Sequence, residues 1–284
     1  MTVTPGGTRV KERYLEVKGR QVYVREALPV SSQPQGTVLL LHGWVGTSSW
    51  MFRHVLPTLG RNFWAVAPDL PGFGRSQPLR RRPTLDAYTH FLAELIEALG
   101  LSRFHLIGAS VGGTLAIVYA SRYPERLRRL VLVGPVYRGE YLPRRFHWIF
   151  RLVDRPGLRE IIPKAPIKWW LIVRRLDMGR DTRHLLREDK GLMARDIMRV
   201  PNQTLIGVGR QLLAIDLEGE ARRICVPTLV LDGEEARMVP AWASRRLATV
   251  IPQAQCHIIA DCGHNVVLEK PKEFLRLTLP FLQG

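Results

Sequence analysis

A serine between two glycines, in the pentapeptide Gly-Ala-Ser-Val-Gly at positions 108–112, is the part of this sequence best suited to chemistry. The apolar run Phe104–Ile107 precedes it, and a helix-forming stretch follows it. A strand that enters Gly-x-Ser-x-Gly and leaves into a helix must turn sharply, with the serine at the apex. The pattern predicts that Ser110 holds its hydroxyl above a sheet edge, beside the positive N-terminal end of a helix.

Strands alternate with helices along most of the chain, which predicts an α/β protein with a mostly parallel, doubly wound sheet. An N-terminal hairpin is predicted at 14–24, with its turn at 18–20. The other predicted strands are Thr37–Leu41, Phe63–Pro68, Phe104–Gly108, Leu130–Val133, Pro227–Leu231 and His257–Ala260. The predicted helices are Ser49–Leu59, Thr84–Gly100, Val111–Tyr123 and Pro271–Phe281.

The segment from about Tyr137 to Gly219 breaks this alternation with a helical pattern. We therefore predict a core domain made of 1–136 and 220–284, with a helical cap at 137–219 over the C-terminal edge of the sheet. The cap interleaves bulky apolar side chains with basic ones, namely Phe146, Trp148, Phe150, Ile161, Ile162, Trp169 and Trp170 with Arg144, Arg145, Arg151, Lys168, Arg174 and Arg175. This mixture suits an anionic membrane surface, an apolar acyl pocket, or a cap that buries its aromatics and leaves its arginines in water.

The composition limits the classes of partner. The 284 residues carry a formal net charge of +17, mostly from arginine, which reflects either a GC-rich genome or a surface that meets something acidic. The arginines are dispersed along the chain, so no nucleic acid is expected as a partner. Three cysteines without metal-ligand spacing predict reduced thiols, and neither a metal nor another cofactor is expected. No signal peptide or membrane-spanning run is recognisable, and we expect a cytoplasmic protein.

Four motifs, in the expected order, resemble those of the α/β-hydrolase fold. They are Leu39-Leu40-Leu41-His42-Gly43-Trp44, Ala67-Pro68-Asp69-Leu70-Pro71-Gly72-Phe73-Gly74-Arg75-Ser76, the serine pentapeptide, and Cys262-Gly263-His264 followed by Glu269-Lys270-Pro271. The resemblance implies that Ser110 is a nucleophile and that His264 is the base that takes its proton. It also implies that the backbone amides of Trp44 and Val111 form the oxyanion hole.

The sequence departs from this family at the third member of the triad. Related proteins carry an aspartate after the strand that ends near Leu231, in a Gly-x-x-Asp turn, and here that position is Ala236. Three explanations remain open. Glu235 supports His264 instead, an acid elsewhere such as Glu140 or Asp232 does so, or the alanine is a disabling change, natural or introduced.

Three possible functions follow from these observations. The first is a serine hydrolase that cleaves a carboxylic ester of a moderately apolar or lipid-like small molecule through an acyl-enzyme on Ser110. The alternatives are a hydrolase that cleaves a carbon–carbon bond in ring-cleavage products, and a ligand-binding member of the fold that no longer turns over. A serine at the elbow argues against dehalogenases and epoxide hydrolases of this fold, which use an aspartate there. Contact with an anionic membrane is an additional expectation.

Overall fold

The computed structural model describes residues 2–3, 8–29, 34–44, 46–155, 191–192 and 195–284. The strands of these residues form a single sheet. In chain order they are β1 (Thr2–Val3), β2 (Arg9–Val17), β3 (Arg20–Ala27), β4 (Thr37–Leu41), β5 (Trp64–Pro68), β6 (Phe104–Ala109), β7 (Leu127–Val133), β8 (Thr228–Gly233) and β9 (Ala254–Ile259). Their order across the sheet is β1-β2-β3-β5-β4-β6-β7-β8-β9.

The sheet has an antiparallel edge and a parallel centre. β1, β2, β3 and β5 pair antiparallel in that order, whereas β5, β4, β6, β7, β8 and β9 pair parallel. The predicted α/β class with a mostly parallel sheet is therefore confirmed. The predicted hairpin is β2 and β3, joined by Lys18 and Gly19, which both have positive φ. Such a turn matches the right-handed twist of its two strands.

Helices connect the parallel strands and cover the sheet. They are α1 (Ser48–Met51), α2 (Leu56–Leu59), α3 (Leu85–Ala98), α4 (Val111–Arg122), α5 (Arg144–Val153), α6 (Asn202–Ala214), α7 (Glu218–Arg222), α8 (Ala241–Val250), α9 (Val266–Glu269) and α10 (Pro271–Gln283). Short 3-10 turns occur at Pro124–Arg126 and Gly139–Tyr141, and residues 195–199 are helical.

The single helix predicted over Ser49–Leu59 is wrong, because α1 and α2 are two separate short helices. Pro57 lies in the first turn of α2. Proline lacks an N–H, which is tolerated in a first turn but not in a helix interior, so the chain begins a new helix there. The helix predicted at Thr84–Gly100 matches α3, whose N-cap hydroxyl, from Thr84, accepts a hydrogen bond from the N–H of Ala87.

Apolar layers lie on both faces of the sheet. Leu39 and Leu41 of β4 pack into one buried cluster, and Val38 and Leu40 pack into the other. Successive side chains of a strand point to opposite faces, so a strand that is apolar at every position must be covered on both sides. This arrangement leaves the carboxyl ends of β4, β6, β8 and β9 at one edge, where the predicted site residues follow.

The cap is described in part, at 137–155, 191–192 and 195–219. Within these ranges it contains a 3-10 turn, α5, the 195–199 helical segment and α6, while α7 begins at its end. Its division from the core stays a prediction. Several residues in the sequence analysis lie outside the described residues, namely Ile161, Ile162, Lys168, Trp169, Trp170, Arg174 and Arg175.

Candidate active site

Ser110 lies at the turn between β6 and α4. Its φ of 52° and ψ of −115° are unusual for a residue that has a side chain. Its backbone N–H donates a 2.8 Å hydrogen bond to the carbonyl of Val133 in β7, which holds the turn against the sheet. A conformation of this kind costs about 1–3 kcal/mol, and such strain concentrates at functional sites. The serine is therefore held at a fixed position above the sheet edge.

The glycines beside Ser110 are required by close backbone contacts. A Cβ on Gly112 would lie 2.1 Å from the carbonyl oxygen of Leu41, and a Cβ on Gly108 would lie 2.4 Å from the carbonyl oxygen of Gly112. No side chain fits at either position without moving the backbone. The glycine pattern in the sequence is thus explained by the packing of α4 against β4 and β6.

The loop after β4 passes beside Ser110. A Cβ on Gly43 would lie 3.1 Å from the Cβ of Ser110, so the peptide that joins Gly43 to Trp44 is adjacent to the serine. Val111 is the first residue of α4, where backbone N–H groups have no partner within the helix. The two proposed oxyanion donors, from Trp44 and Val111, therefore belong to segments on either side of Ser110. Their role as donors stays a prediction.

His42 is a structural residue of this loop. Its Nδ1 lies 2.8 Å from the carbonyl of Gly43, and its Nε2 lies 2.8 Å from the N–H of Leu70. A carbonyl only accepts and an N–H only donates, so the ring is neutral with its proton on Nδ1. Complete burial lowers the pKa of His42 to about 4. The imidazole thus ties the proposed oxyanion loop to the loop after β5.

Asp69 is a supporting residue to which the sequence analysis gave no role. Its Oδ1 accepts 2.7 Å hydrogen bonds from the N–H and the hydroxyl of Ser48, and its Oδ2 accepts a 3.0 Å bond from the N–H of Arg75. Burial raises the pKa of this carboxyl. A lone aspartate inside the apolar stretch Ala67–Pro71 was the signal available in the sequence.

Side-chain contacts connect the proposed oxyanion loop to the cap. The indole Nε1 of Trp44 donates a 3.0 Å hydrogen bond to the carbonyl of Leu205 in α6, and its ring lies 5.3 Å from that of Phe146 in α5. The hydroxyl of Thr47 donates to the carboxylate of Asp196. The position of this loop therefore depends on how the cap packs.

His264 lies in the turn after β9, and the carboxylate of Glu269 supports that turn. One oxygen of Glu269 accepts a 3.0 Å hydrogen bond from the N–H of Gly263, and the other accepts a 3.0 Å bond from the N–H of Asn265. His264 and Ser110 line the same small cavity, together with Met51, Ala109, Val133 and residues 265–268. The structure thus brings the predicted nucleophile and the predicted base to one place.

The candidate acids differ in their surroundings. Ala236 is buried in the turn after β8, and its methyl group offers no hydrogen-bond acceptor. Glu235 is partly exposed, and its backbone N–H donates a 2.8 Å bond to the carbonyl of Cys262. Glu140 is exposed and forms a 2.9 Å ion pair with Arg138. Glu140 is therefore already engaged in a surface ion pair.

Asp232 is fully buried near the end of β8. Its Oδ1 accepts a 2.9 Å hydrogen bond from the N–H of Gly233, and its Oδ2 accepts a 2.6 Å bond from the hydroxyl of Ser244 in α8. Gly134, directly after β7, has a φ of 50° and faces this carboxylate. A Cβ on Gly134 would lie 3.3 Å from Asp232 Oδ1 and 2.9 Å from His264 Nδ1.

Among the described residues, no helix has the length and apolarity needed to cross a bilayer. In the same part of the chain, no three His, Cys, Asp or Glu side chains converge in a way that would hold a metal ion.

The aromatic residues of α5 differ in exposure. Trp148 is two-thirds exposed, whereas Phe146 and Phe150 are buried.

This sheet topology and the serine on its strand-to-helix turn define an α/β-type hydrolase. A sequence profile of the alpha/beta hydrolase fold matches residues 36–271, so the chain belongs to that family. It is 30% identical over 262 residues to 2-hydroxy-6-oxo-6-phenylhexa-2,4-dienoate hydrolase from Burkholderia cepacia, covering 89% of both chains. It is 31% identical over 252 residues to 2-hydroxy-6-oxo-2,4-heptadienoate hydrolase from Pseudomonas putida, covering 86% of this chain and 88% of the relative.

Solved structures share the fold. An enol-lactonase from Burkholderia xenovorans superposes with a TM-score of 0.79 at 20% identity, covering 96% of this chain and all of the other. A serine hydrolase from Cycloclasticus zankles superposes with a TM-score of 0.78 at 24% identity, covering 97% of this chain and 99% of the other. At such identities the similarity concerns architecture alone.

Proposed function

We propose that this protein hydrolyses the carbon–carbon bond beside a ketone in a 2-hydroxy-6-oxodienoate, with Ser110 as nucleophile and His264 as base. The observation that carries this proposal is the identity of 30% or more, over nearly the whole chain, to hydrolases named for such compounds. Ser110 and His264 line one cavity, and together they provide a nucleophile and a base for this reaction. The substrate class is anionic, which suits a protein with a net charge of +17.

The reaction needs a nucleophile and a proton carrier. The Ser110 oxygen adds to the ketone carbon while His264 takes the hydroxyl proton. The negative charge that develops on the ketone oxygen is stabilised by the N–H groups of Trp44 and Val111. In the substrate tautomer with a second ketone at C2, the pair of electrons from the broken C5–C6 bond passes to the C2 oxygen. His264 returns the proton to that fragment, and water then hydrolyses the acyl-serine.

Hydrolysis of a carboxylic ester, the main expectation from the sequence, is the second candidate. The same serine and the same donors serve both reactions, which differ in the leaving group alone. Several of the residues that line the small cavity beside Ser110 are apolar, among them Met51, Val133 and Leu268, and such neighbours suit a moderately apolar acyl group. The proposed enzyme is therefore expected to cleave activated esters slowly.

The test compares two substrates with one purified protein. Loss of the visible absorbance of 2-hydroxy-6-oxo-6-phenylhexa-2,4-dienoate is measured beside release of p-nitrophenol from p-nitrophenyl butyrate. We expect kcat/KM to favour the dienoate by about 100-fold or more, a difference of roughly 3 kcal/mol in transition-state stabilisation. Efficient ester cleavage without dienoate cleavage would instead identify an esterase. No turnover of either would favour the non-catalytic, ligand-binding alternative.

Ser110→Ala is the informative variant, and Ser121→Ala is its matched control. Ser121 lies in α4, the helix that follows Ser110, where its hydroxyl donates a 2.9 Å hydrogen bond to the carbonyl of Val118. We expect Ser110→Ala to abolish turnover of both substrates and Ser121→Ala to retain it. Equal activity of the two variants would rule out the serine mechanism.

Contact with an anionic membrane is proposed for the exposed face of α5. Trp148 and Leu152 are exposed there, and the guanidinium of Arg151 lies 5.8 Å from the Trp148 ring centre. Apolar and basic side chains on one helix face are typical of binding at a lipid headgroup layer. Sedimentation with phosphatidylglycerol vesicles, but not with phosphatidylcholine vesicles, is the expected result, and Trp148→Ser should weaken it.

A further inference from the structure

The missing aspartate at Ala236 raises the question of which carboxylate orients His264. A base of this kind needs an acceptor for its Nδ1 proton, because that bond fixes the tautomer and offsets the charge of the imidazolium. The acceptor must lie beside Nδ1, on the side of the ring away from Ser110. It must also be held by its own partners so that it does not swing away.

We propose that Asp232, four residues before Ala236, is the positioning residue for His264. If Gly134 carried a Cβ, three heavy atoms would be nearest to it. They are Cε1 and Nδ1 of His264, at 2.9 Å each, and Oδ1 of Asp232, at 3.3 Å. The carboxylate and the Nδ1 edge of the imidazole therefore border the same small space. Gly134 keeps that space open because it has no side chain.

The surroundings of Asp232 fit this role. Its side chain is completely buried, and its two oxygens accept hydrogen bonds from Gly233 and Ser244, as described above. A carboxylate offers about four lone-pair sites, so acceptor capacity remains for a third donor. A buried carboxylate is also costly unless a positive group compensates it, and an imidazolium that forms during the reaction does so. Ser244 and Gly233 thus fix the carboxylate, and His264 completes it.

The other carboxylates near this turn are less suitable. Both oxygens of Glu269 accept the backbone bonds of Gly263 and Asn265. Glu235 is partly exposed, so water screens its charge. The remaining ionisable groups around the turn are Asp261, which is exposed, Lys270, and Cys262, whose pKa is raised by burial. Glu235 is the alternative to Asp232, and measurements on variants of both residues separate the two.

The inference rests on the proposed function in that His264 serves Ser110, so its test includes a readout that needs no turnover. The titration of the His264 ring is followed by NMR in the wild type, Asp232→Asn and Glu235→Gln. A nearby carboxylate favours the charged imidazole. We expect Asp232→Asn to lower the titration midpoint by about one pH unit or more, and Glu235→Gln to leave it in place. The reverse result overturns the proposal even if the protein hydrolyses nothing.

A second readout follows the reactivity of Ser110. The rate of Ser110 labelling by a fluorophosphonate is measured against pH in the same three proteins. We expect Asp232→Asn to slow labelling by about 1,000-fold or more and Glu235→Gln to change it by less than about threefold. Fast labelling of Asp232→Asn would overturn the proposal. A wild type that titrates as expected but is not labelled would count against the proposed function and not against Asp232.

Folding is checked with a third variant. Asparagine retains an oxygen that accepts the N–H of Gly233. Its NH2 group can donate a hydrogen bond to the hydroxyl oxygen of Ser244, so Asp232→Asn should fold. If its circular dichroism or melting differs from that of the wild type, Ser244→Ala replaces it. That variant removes the 2.6 Å hydrogen bond and leaves the carboxylate charge in place. We expect it to raise the titration midpoint of His264, and a midpoint that does not move would contradict the proposal.

Discussion

The carboxylate of Glu269 holds the backbone on both sides of His264. It does so by accepting the backbone N–H groups of Gly263 and Asn265, the residues on either side of the histidine, at 3.0 Å each. A side chain that holds the backbone on both sides of a base limits how far that base can shift relative to its nucleophile. These two hydrogen bonds also explain why the carboxylate of Glu269 is buried in α9.

Replacing Glu269 by glutamine tests this support. One of the two backbone bonds would be lost, because an amide has a single acceptor oxygen, and we expect kcat to fall about tenfold to 100-fold. The free energy of unfolding should fall by about 1–3 kcal/mol. Steady-state kinetics and urea unfolding measure both quantities. Glu273→Gln, at a partly exposed glutamate paired with Arg276 in α10, is the control and should leave kcat unchanged and lower the free energy of unfolding far less.

Gly43→Ala tests how closely the loop after β4 approaches the nucleophile. The new methyl group would lie 3.1 Å from the Cβ of Ser110 and 3.4 Å from the Cε of Met51, so one of the neighbours must move by a few tenths of an ångström. We expect kcat to fall about tenfold or more while KM changes little. Gly219→Ala, in α7 with no atom closer than 3.9 Å, is the control. Equal kinetics for the two variants would contradict the proposed position of the oxyanion loop.

The stability of the fold should depend on pH through buried neutral histidines. Burial lowers the pKa of His105 to about 4, as it does for His42. The unfolded chain binds these protons near pH 6.5, so the free energy of unfolding falls as the pH decreases from about 6.5 to about 4. Asp69 and Asp196 act in the opposite sense, because burial raises the pKa of each carboxyl.

His105→Gln isolates one of these contributions. Between about pH 7 and pH 5, the wild type should lose about 2 kcal/mol more of its free energy of unfolding than the variant loses. Urea unfolding of both proteins at the two pH values measures the difference. Parallel losses would show that His105 is protonated as easily in the folded protein as in the unfolded chain.

The sequence is sufficient for the architecture and for placing Ser110 and His264, the proposed nucleophile and base, at the same edge of the sheet. Glycines at 108 and 112 mark a turn that no other residue fits, and His264 follows a strand that ends at the same edge of the sheet. Local pattern alone could not show that Pro57 begins a new helix within the apolar stretch 49–59. Proline in a first turn and proline in a helix interior give the same sequence signal.

The third acid illustrates the limit of sequence reasoning at the site. Glu235 is the nearest carboxylate to Ala236 along the chain, and this proximity is what makes it one of the three explanations that the sequence leaves open. Separation along the chain does not show which way a side chain points. The carboxylate of Asp232 points into the space beside Gly134. That space depends on β7, about a hundred residues earlier, and no local pattern contains it.

We propose above that the Ser110 hydroxyl is a nucleophile activated by His264. Intact-mass and peptide mass spectrometry after treatment with a fluorophosphonate test it most directly, with His264→Ala as the paired variant. We expect a single adduct on Ser110 in the wild type and a labelling rate at least about 1,000-fold lower in His264→Ala. An adduct on another residue, or equal labelling rates in both proteins, would contradict a serine nucleophile activated by His264.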